Sequence, residues 1–208
     1  MKVVIITVPM KRPDMVEPLL YPVDGNKAVE YEKPVRCPVN GILAKTLKKD
    51  EQVKVIYIMT TGGNSDCERN KINFMSEIEG INAGIGAVLS YDTVEIEFLP
   101  TKQTYNKLLT DLSAKIPGNA EIYSDITYGH KPEILSLFCA FRFVEEFRDA
   151  IVQYIVYGKA EFNPQTEKIE HPVLFDITSL YYLFKLIGAI GSADAETASK
   201  MLQDFFAL

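Results

Sequence analysis

Histidine is almost absent from this 208-residue chain: His130 and His171 are the only two, which rules out a histidine-rich metal site. Cysteine is nearly as scarce. Cys37, Cys67 and Cys139 are unevenly spaced and form no CxxC pair, so neither a zinc site nor a disulfide framework is expected, and free thiols suit a reducing cytoplasm. No stretch approaches the ~18 apolar residues of a membrane span; 135–143 and 180–190 are the longest apolar segments, and polar residues interrupt both. The opening MKVVIIT is too brief an apolar run for a signal peptide and lacks a cleavage site. Positive charge is also in deficit. A formal net charge of −6 argues against a broad basic face for long nucleic acid. It leaves room for a short nucleotide held by backbone N–H groups and a few local cations. Low-complexity tracts and internal repeats are missing. So are the GxSxG elbow, the HExxH pair and the Walker GxxxxGK[ST] loop. A GxG at Gly84 and Gly86 precedes a strand rather than following one, so it is no dinucleotide loop. No cofactor and no metal are expected.

The composition is that of a folded globular chain. Five short runs, 2–7, 53–59, 94–99, 121–125 and 152–157, are nearly continuous in apolar residues, as strands buried on both faces are. Segments of helical spacing separate them: 40–49 after a capping Asn40, a second opening at Asp66 or Asn70 and ending before Gly84, a third from Thr101 or Thr104, and the strongly apolar 132–147. The alternation predicts an α/β fold: a Rossmann-like, mainly parallel sheet of five or six strands flanked by helices, with right-handed crossovers. Two regions break the rhythm. Residues 8–39 form a long, proline-rich connection whose Asp24-Gly25-Asn26 turn predicts a small β-hairpin insertion, and connections of that length are more often functional than not. Residues 171–175 are expected to pair as an edge hairpin, followed by two C-terminal helices, 177–188 and 193–206, the second capped by Ser192. The expected organisation is one domain over 1–176 with a helical extension, 177–208, packed on it and no catalytic module beyond.

Ligands of open parallel sheets bind beyond the carboxyl ends of the strands, where strand order reverses. Three turns occupy such ends: Thr7-Val8-Pro9-Met10-Lys11, Thr60-Thr61-Gly62-Gly63-Asn64-Ser65, and Asp125-Ile126-Thr127-Tyr128-Gly129-His130-Lys131-Pro132. All are small, hydroxyl-bearing or glycine-containing, and suit the presentation of N–H and O–H donors to phosphate at helix N-termini. The third is the richest. Gly129 permits close backbone approach or positive φ, Pro132 suits a first helical turn, Thr127 offers a hydroxyl and Lys131 a point charge. The alternative is that Asp125 and Thr127 only cap the next helix while Lys131 is solvated. The Thr60–Thr61 turn fits a phosphate site and an ordinary strand-to-helix turn equally well. His171, ahead of Pro172, and Glu145 and Glu146, on a helix flank, read as solvated surface.

Asp125-Ile126-Thr127-Tyr128-Gly129-His130-Lys131-Pro132 resembles the D-x-T-x-G-x-[KR] signature of CARF domains, the sensor domains of CRISPR-associated effectors. The likeness extends to Tyr21-Pro22-Val23-Asp24-Gly25-Asn26, Cys37-Pro38-Val39-Asn40, Ile155-Val156-Tyr157-Gly158 and Asp176-Ile177-Thr178. It therefore covers most of the chain and is greatest toward the sensor half of CRISPR-associated adenosine deaminases; residues 8–39 depart most from the pattern. The resemblance implies a cytoplasmic, Rossmann-like homodimer that binds one cyclic oligoadenylate, a cyclic tetra- or hexa-adenylate, from type III CRISPR antiviral signalling. It also implies either a sensor belonging to an effector absent from this chain or a stand-alone relative. The implied ligand-binding residues are Thr7 and Lys11, Asn40, Thr60 and Thr61, and Thr127, Tyr128, Gly129, His130 and Lys131. Neither a membrane nor long nucleic acid is an expected partner. An even-membered ring shares the two-fold symmetry of an isologous dimer, whose interface is expected near the pocket and along helix 132–147 or the C-terminal helices. The alternative function is a metal-independent ring nuclease in which a ribose 2′-hydroxyl attacks its adjacent phosphate, Lys131 stabilises the charge, and His130 or Thr7 orients the groups. A nucleotide-binding domain unrelated to CRISPR is the third reading.

Overall fold

A computed structural model describes the chain except residues 63–65, 100, 166–167, 192–193 and 207–208. Its centre is β1 (Lys2–Thr7), buried at every position because helices cover both faces of the sheet. It pairs in parallel with β3 (Gln52–Thr61) on one side and β5 (Glu121–Asp125) on the other. Beyond β3 lies β4 (Val88–Glu97), and beyond β5 lies β6 (Ile151–Asn163), both parallel to their neighbours. β7 (Lys168–Asp176) returns antiparallel to β6, and the two-residue β2 (Val23–Asp24) adds in parallel at the edge. The order is β2-β7-β6-β5-β1-β3-β4. The chain thus builds outward from β1 through β3 to β4, then crosses back to β5. Strand order reverses between β1 and β5. The architecture is the α/β, Rossmann-like sheet expected, with seven strands rather than five or six because the hairpin and β2 extend it.

Two apolar layers hold the sheet. α1 (Pro38–Thr46) and α2 (Cys67–Asn82) bury Val39, Ile42, Leu43, Phe74 and Ile78 against one face. α3 (Lys102–Lys115), α4 (Lys131–Arg148) and α5 (Thr178–Ala189) cover the other. In α4, Leu137, Ala140, Phe141 and Val144 fall at i, i+3, i+4 and i+7 and are fully buried, the stripe a sheet-packed helix requires. Thr101 caps α3 as expected, its hydroxyl accepting from the Thr104 N–H at 3.2 Å. α5 buries only Tyr181, whose hydroxyl donates to Glu145, a carboxylate also paired with Lys185 at 2.9 Å. α6 (Ala195–Phe206) has no buried side chain among its described residues. No helix of the described residues is long and apolar enough to cross a membrane.

Three expectations need adjusting. α1 starts at Pro38 with Cys37 at its N-cap and ends at Thr46, so Asn40 lies inside the helix instead of capping one over 40–49, because Pro38 takes the first helical position. β4 begins at Val88, not 94, and is an edge strand rather than one buried on both faces. Leu89 and Tyr91 pack toward the α1/α2 layer, whereas Val94 and Ile96 pack under α3. Asp92, between them, pairs with Lys54 and Lys115, which hides the strand in a hydropathy reading. Around Asp24–Asn26 the expected hairpin takes another form. Leu19 and Val35 form a single antiparallel bridge that closes the loop, and Val23–Asp24 joins β7 in parallel instead.

Candidate functional site

The turn between β5 and α4 sits at the strand-order reversal and is tied down by its first residue. Asp125 is 1% exposed. Its Oδ1 accepts the Thr127 N–H and its Oδ2 the Val39 N–H, both at 2.9 Å, and the Cys37 thiol approaches Oδ2 at 3.5 Å. Burial raises the carboxyl above the usual aspartate range, against the pull of these bonds. Asp125 therefore caps the start of α1 as well as its own turn; it does not cap α4. Glu77, from α2, accepts the Arg36 and Cys37 N–H groups at 2.7 and 3.1 Å and the Asn40 side-chain amide at 2.8 Å. The first donors of α1 are thus taken by the chain's own carboxylates, which closes that helix end to a ligand anion.

Gly129 is there for closeness, not for an unusual φ. Its φ lies outside the left-handed region, whereas Gly25, Gly62 and Gly86 are inside it. A Cβ at Gly129 would stand 3.1 Å from Thr7 Cγ2, so β1 and the turn after β5 touch only because the side chain is missing. Thr7 is 1% exposed and its hydroxyl donates to the Asp125 carbonyl at 3.2 Å. Thr127 is occupied similarly: its Oγ1 accepts the Gly158 N–H at 2.9 Å and joins the turn to β6. Gly158 repeats the close approach, because a Cβ there would meet Pro38 at 2.9 Å and Tyr21 at 3.1 Å.

Glu133 is the residue the sequence reading missed. It lies in the first turn of α4, only 6% exposed. Its Oε2 accepts the His130 N–H at 3.1 Å and its Oε1 the Thr60 hydroxyl at 3.3 Å. Burial raises its pKa, which His130 opposes. One carboxylate so joins the ends of β3, β5 and α4. The signal was legible as spacing, since a glutamate three residues after a helix N-cap completes a capping box.

Two cavities flank this turn. The larger, about 660 Å³, is bounded by the loop after β1 and the carboxyl end of β6; Lys11, Arg12, Thr127, Tyr128, Tyr157 and Lys159 line it. Arg12 pairs with Asp14 at 2.8 Å and Lys159 with Glu161 at 3.0 Å. Lys11 has no ion-pair partner among the described residues. The smaller, about 310 Å³, lies between α3 and α4 and is lined by Phe98, Tyr105, His130 and Glu133 among others. The His130 and Phe98 rings meet at 4.9 Å.

The structure brings the expected residues to one end of the sheet but not into one cavity. Lys11, Thr127 and Tyr128 line the larger and His130 the smaller. Gly129 lies between. Thr7, Thr60 and Asn40 are buried at 1%, 4% and 0% exposure; Thr7 and Thr60 bond to Asp125 and Glu133, whereas the Asn40 amide donates to Glu77 of α2. The Thr61 hydroxyl donates to the Ile96 carbonyl at 3.1 Å. Lys131 is exposed at the mouth of α4 and has no ion-pair partner among the described residues. Gly63, Asn64 and Ser65 of the second turn lie outside the described residues. Arg12, Tyr157 and Lys159 were not singled out as ligands; Tyr157 and Lys159 lie where β6 passes the end of β5, a position the strand-end rule would have flagged. Among the described residues no group of three or more His, Cys, Asp or Glu side chains could hold a metal ion. No protein-family model matches the chain, and no curated protein matches it.

Proposed function

We propose that this chain is a nucleotide sensor of the CARF type, binding a cyclic tetra- or hexa-adenylate across a homodimer at the carboxyl end of its sheet. The observation that carries the reading is the packing of Gly129 on Thr7 where strand order reverses, beside a cleft that gathers Lys11, Arg12 and Lys159 on a chain of net negative charge. A local group of cations at a topological switch point, with aromatic rings beside it, suits a phosphate-bearing nucleotide. Lys131, at the helix mouth, adds an exposed ammonium. The Thr7 and Thr127 hydroxyls are both bonded within the fold and serve the turn, so binding is favoured over cleavage.

The dimer has support of its own. Leu135, Phe143 and Phe147 on α4 and Leu180, Phe184 and Ile187 on α5 are 41–70% exposed. Together they present on the order of 600 Å² of apolar surface, close to the ~800 Å² per partner of a standard interface. A second copy of the chain covers that face. The test is thermal stabilisation of the purified chain by cyclic tri-, tetra- and hexa-adenylate against linear tetra-adenylate. Stabilisation by an even-membered ring above the linear control is expected, and equal response to all four sinks the reading.

A further inference from the structure

The two cavities beside the 127–133 turn differ in chemistry. Three cations, Lys11, Arg12 and Lys159, outnumber two carboxylates, Asp14 and Glu17, in the larger. The smaller has Glu97 and Glu133, the rings of Phe98, Tyr105 and His130, the Thr104 hydroxyl, and no lysine or arginine among its described lining residues. We propose that the smaller cavity is a base pocket for a planar heterocycle with an exocyclic amino group, namely the adenine of a nucleotide whose phosphate lies in the larger cleft. The proposal rests on the nucleotide reading of the site and says which cavity takes which part of the ligand.

Charge complementarity decides between the cavities. Carboxyl oxygens accept hydrogen bonds, so Glu97 and Glu133 suit amino N–H groups better than phosphate, whereas Lys11 and its neighbouring cations suit phosphate. Glu133 already accepts from Thr60 and His130, yet each carboxylate oxygen has a second lone pair, so it can take an amino proton without releasing its cap on α4. A volume of about 310 Å³ lies at the lower end of small-ligand sites. Phe98 is 54% exposed at the rim and offers a face for stacking. The reach also fits. Tyr128 lines one cavity and His130 the other, two residues of backbone that span at most about 7 Å. A single nucleotide draped over the Gly129 backbone bridges them.

The experiment is an NMR titration of the full chain with adenosine 5′-monophosphate, purine riboside 5′-monophosphate, which lacks the amino group, and ribose 5-phosphate. It is repeated on Phe98→Ala, with cyclic tetra-adenylate run in parallel. Adenosine monophosphate is expected to shift the amides of Phe98, Tyr105 and His130 together with those of Lys11 and Lys159, and ribose 5-phosphate only the latter. Loss of the amino group is expected to weaken binding about tenfold. Phe98→Ala is expected to do so by a similar factor, as losing a base-stacking face does, with ribose 5-phosphate binding and the melting temperature unchanged. Shifts confined to the larger cleft, with Phe98→Ala indistinguishable from wild type, overturn the base pocket. Absence of any shift from adenosine monophosphate overturns it as well. In either case the cyclic tetra-adenylate titration decides separately whether the nucleotide reading survives.

Discussion

Asp125→Ala is the substitution whose cost follows most directly from the structure. The carboxylate accepts the fully buried Val39 N–H and the half-buried Thr127 N–H, both at 2.9 Å. Removing it strands both donors. A buried backbone donor left unsatisfied costs about 1–3 kcal/mol. Val39 incurs the larger share, and Thr127, within reach of water, about half as much. The Cys37 thiol is a weak donor and adds little. Against this stands relief from burying a carboxylate whose pKa is already raised by desolvation. A net loss of about 2–4 kcal/mol is expected, a large fraction of the 5–15 kcal/mol of a typical domain. Asp125→Asn keeps one acceptor oxygen and is expected to lose about half as much. Urea unfolding at pH 7, with unchanged dependence on denaturant, is the measurement. A loss below about 1 kcal/mol for Asp125→Ala would refute the reasoning that this carboxylate ties α1 to the β5 turn.

Gly129→Ala forces a Cβ to 3.1 Å from Thr7 and is expected to cost about 1–3 kcal/mol, read as a lowered melting temperature together with weakened ligand binding. Lys11→Ala and Lys131→Ala each remove one cation from both halves of the dimer; each is expected to lower calorimetric affinity for the ring by about a hundred-fold or more, at unchanged stability. Glu133 has a raised pKa, so its folded state binds a proton more tightly than the unfolded chain. Its contribution is full below the ordinary value of 4.5 and is lost as pH rises through the folded value. The stability advantage of wild type over Glu133→Gln should therefore shrink from pH 4 to pH 7 in urea melts, and a constant difference contradicts the assignment. Phe143→Asp is expected to shift the chain to monomer in sedimentation while leaving its fold intact, because Phe143 is exposed on the apolar face of α4.

β1 and β5 were legible to the residue because their apolar runs are continuous and covered on both faces. α4 starts at Lys131, one residue before its expected bound, since Pro132 marks a first turn without fixing its first member. β4 was half missed because Ser90 and Asp92 break its hydropathy while pairing across the sheet and with lysines. The candidate site was located in the sequence by one dense turn, 125–132. The roles within it were not legible, because they depend on approach from elsewhere in the chain. Asp125 reads as a cap for the following helix, yet its second oxygen serves Val39, 86 residues away in sequence. Thr60 and Thr7 read as ligands, yet they are covered by Glu133 and Gly129. The long loop over 8–37 gives no period at all, so neither the parallel placement of β2 nor the entry of Lys11 and Arg12 into the cleft could be anticipated.

Calorimetry of the purified chain with cyclic tetra- and hexa-adenylate, joined to sedimentation of the same samples, tests the central claim most directly. One ring bound per two chains, with the heat abolished or strongly reduced in Lys11→Ala, is the predicted result. No heat from either ring, or one ring per monomeric chain, would contradict it.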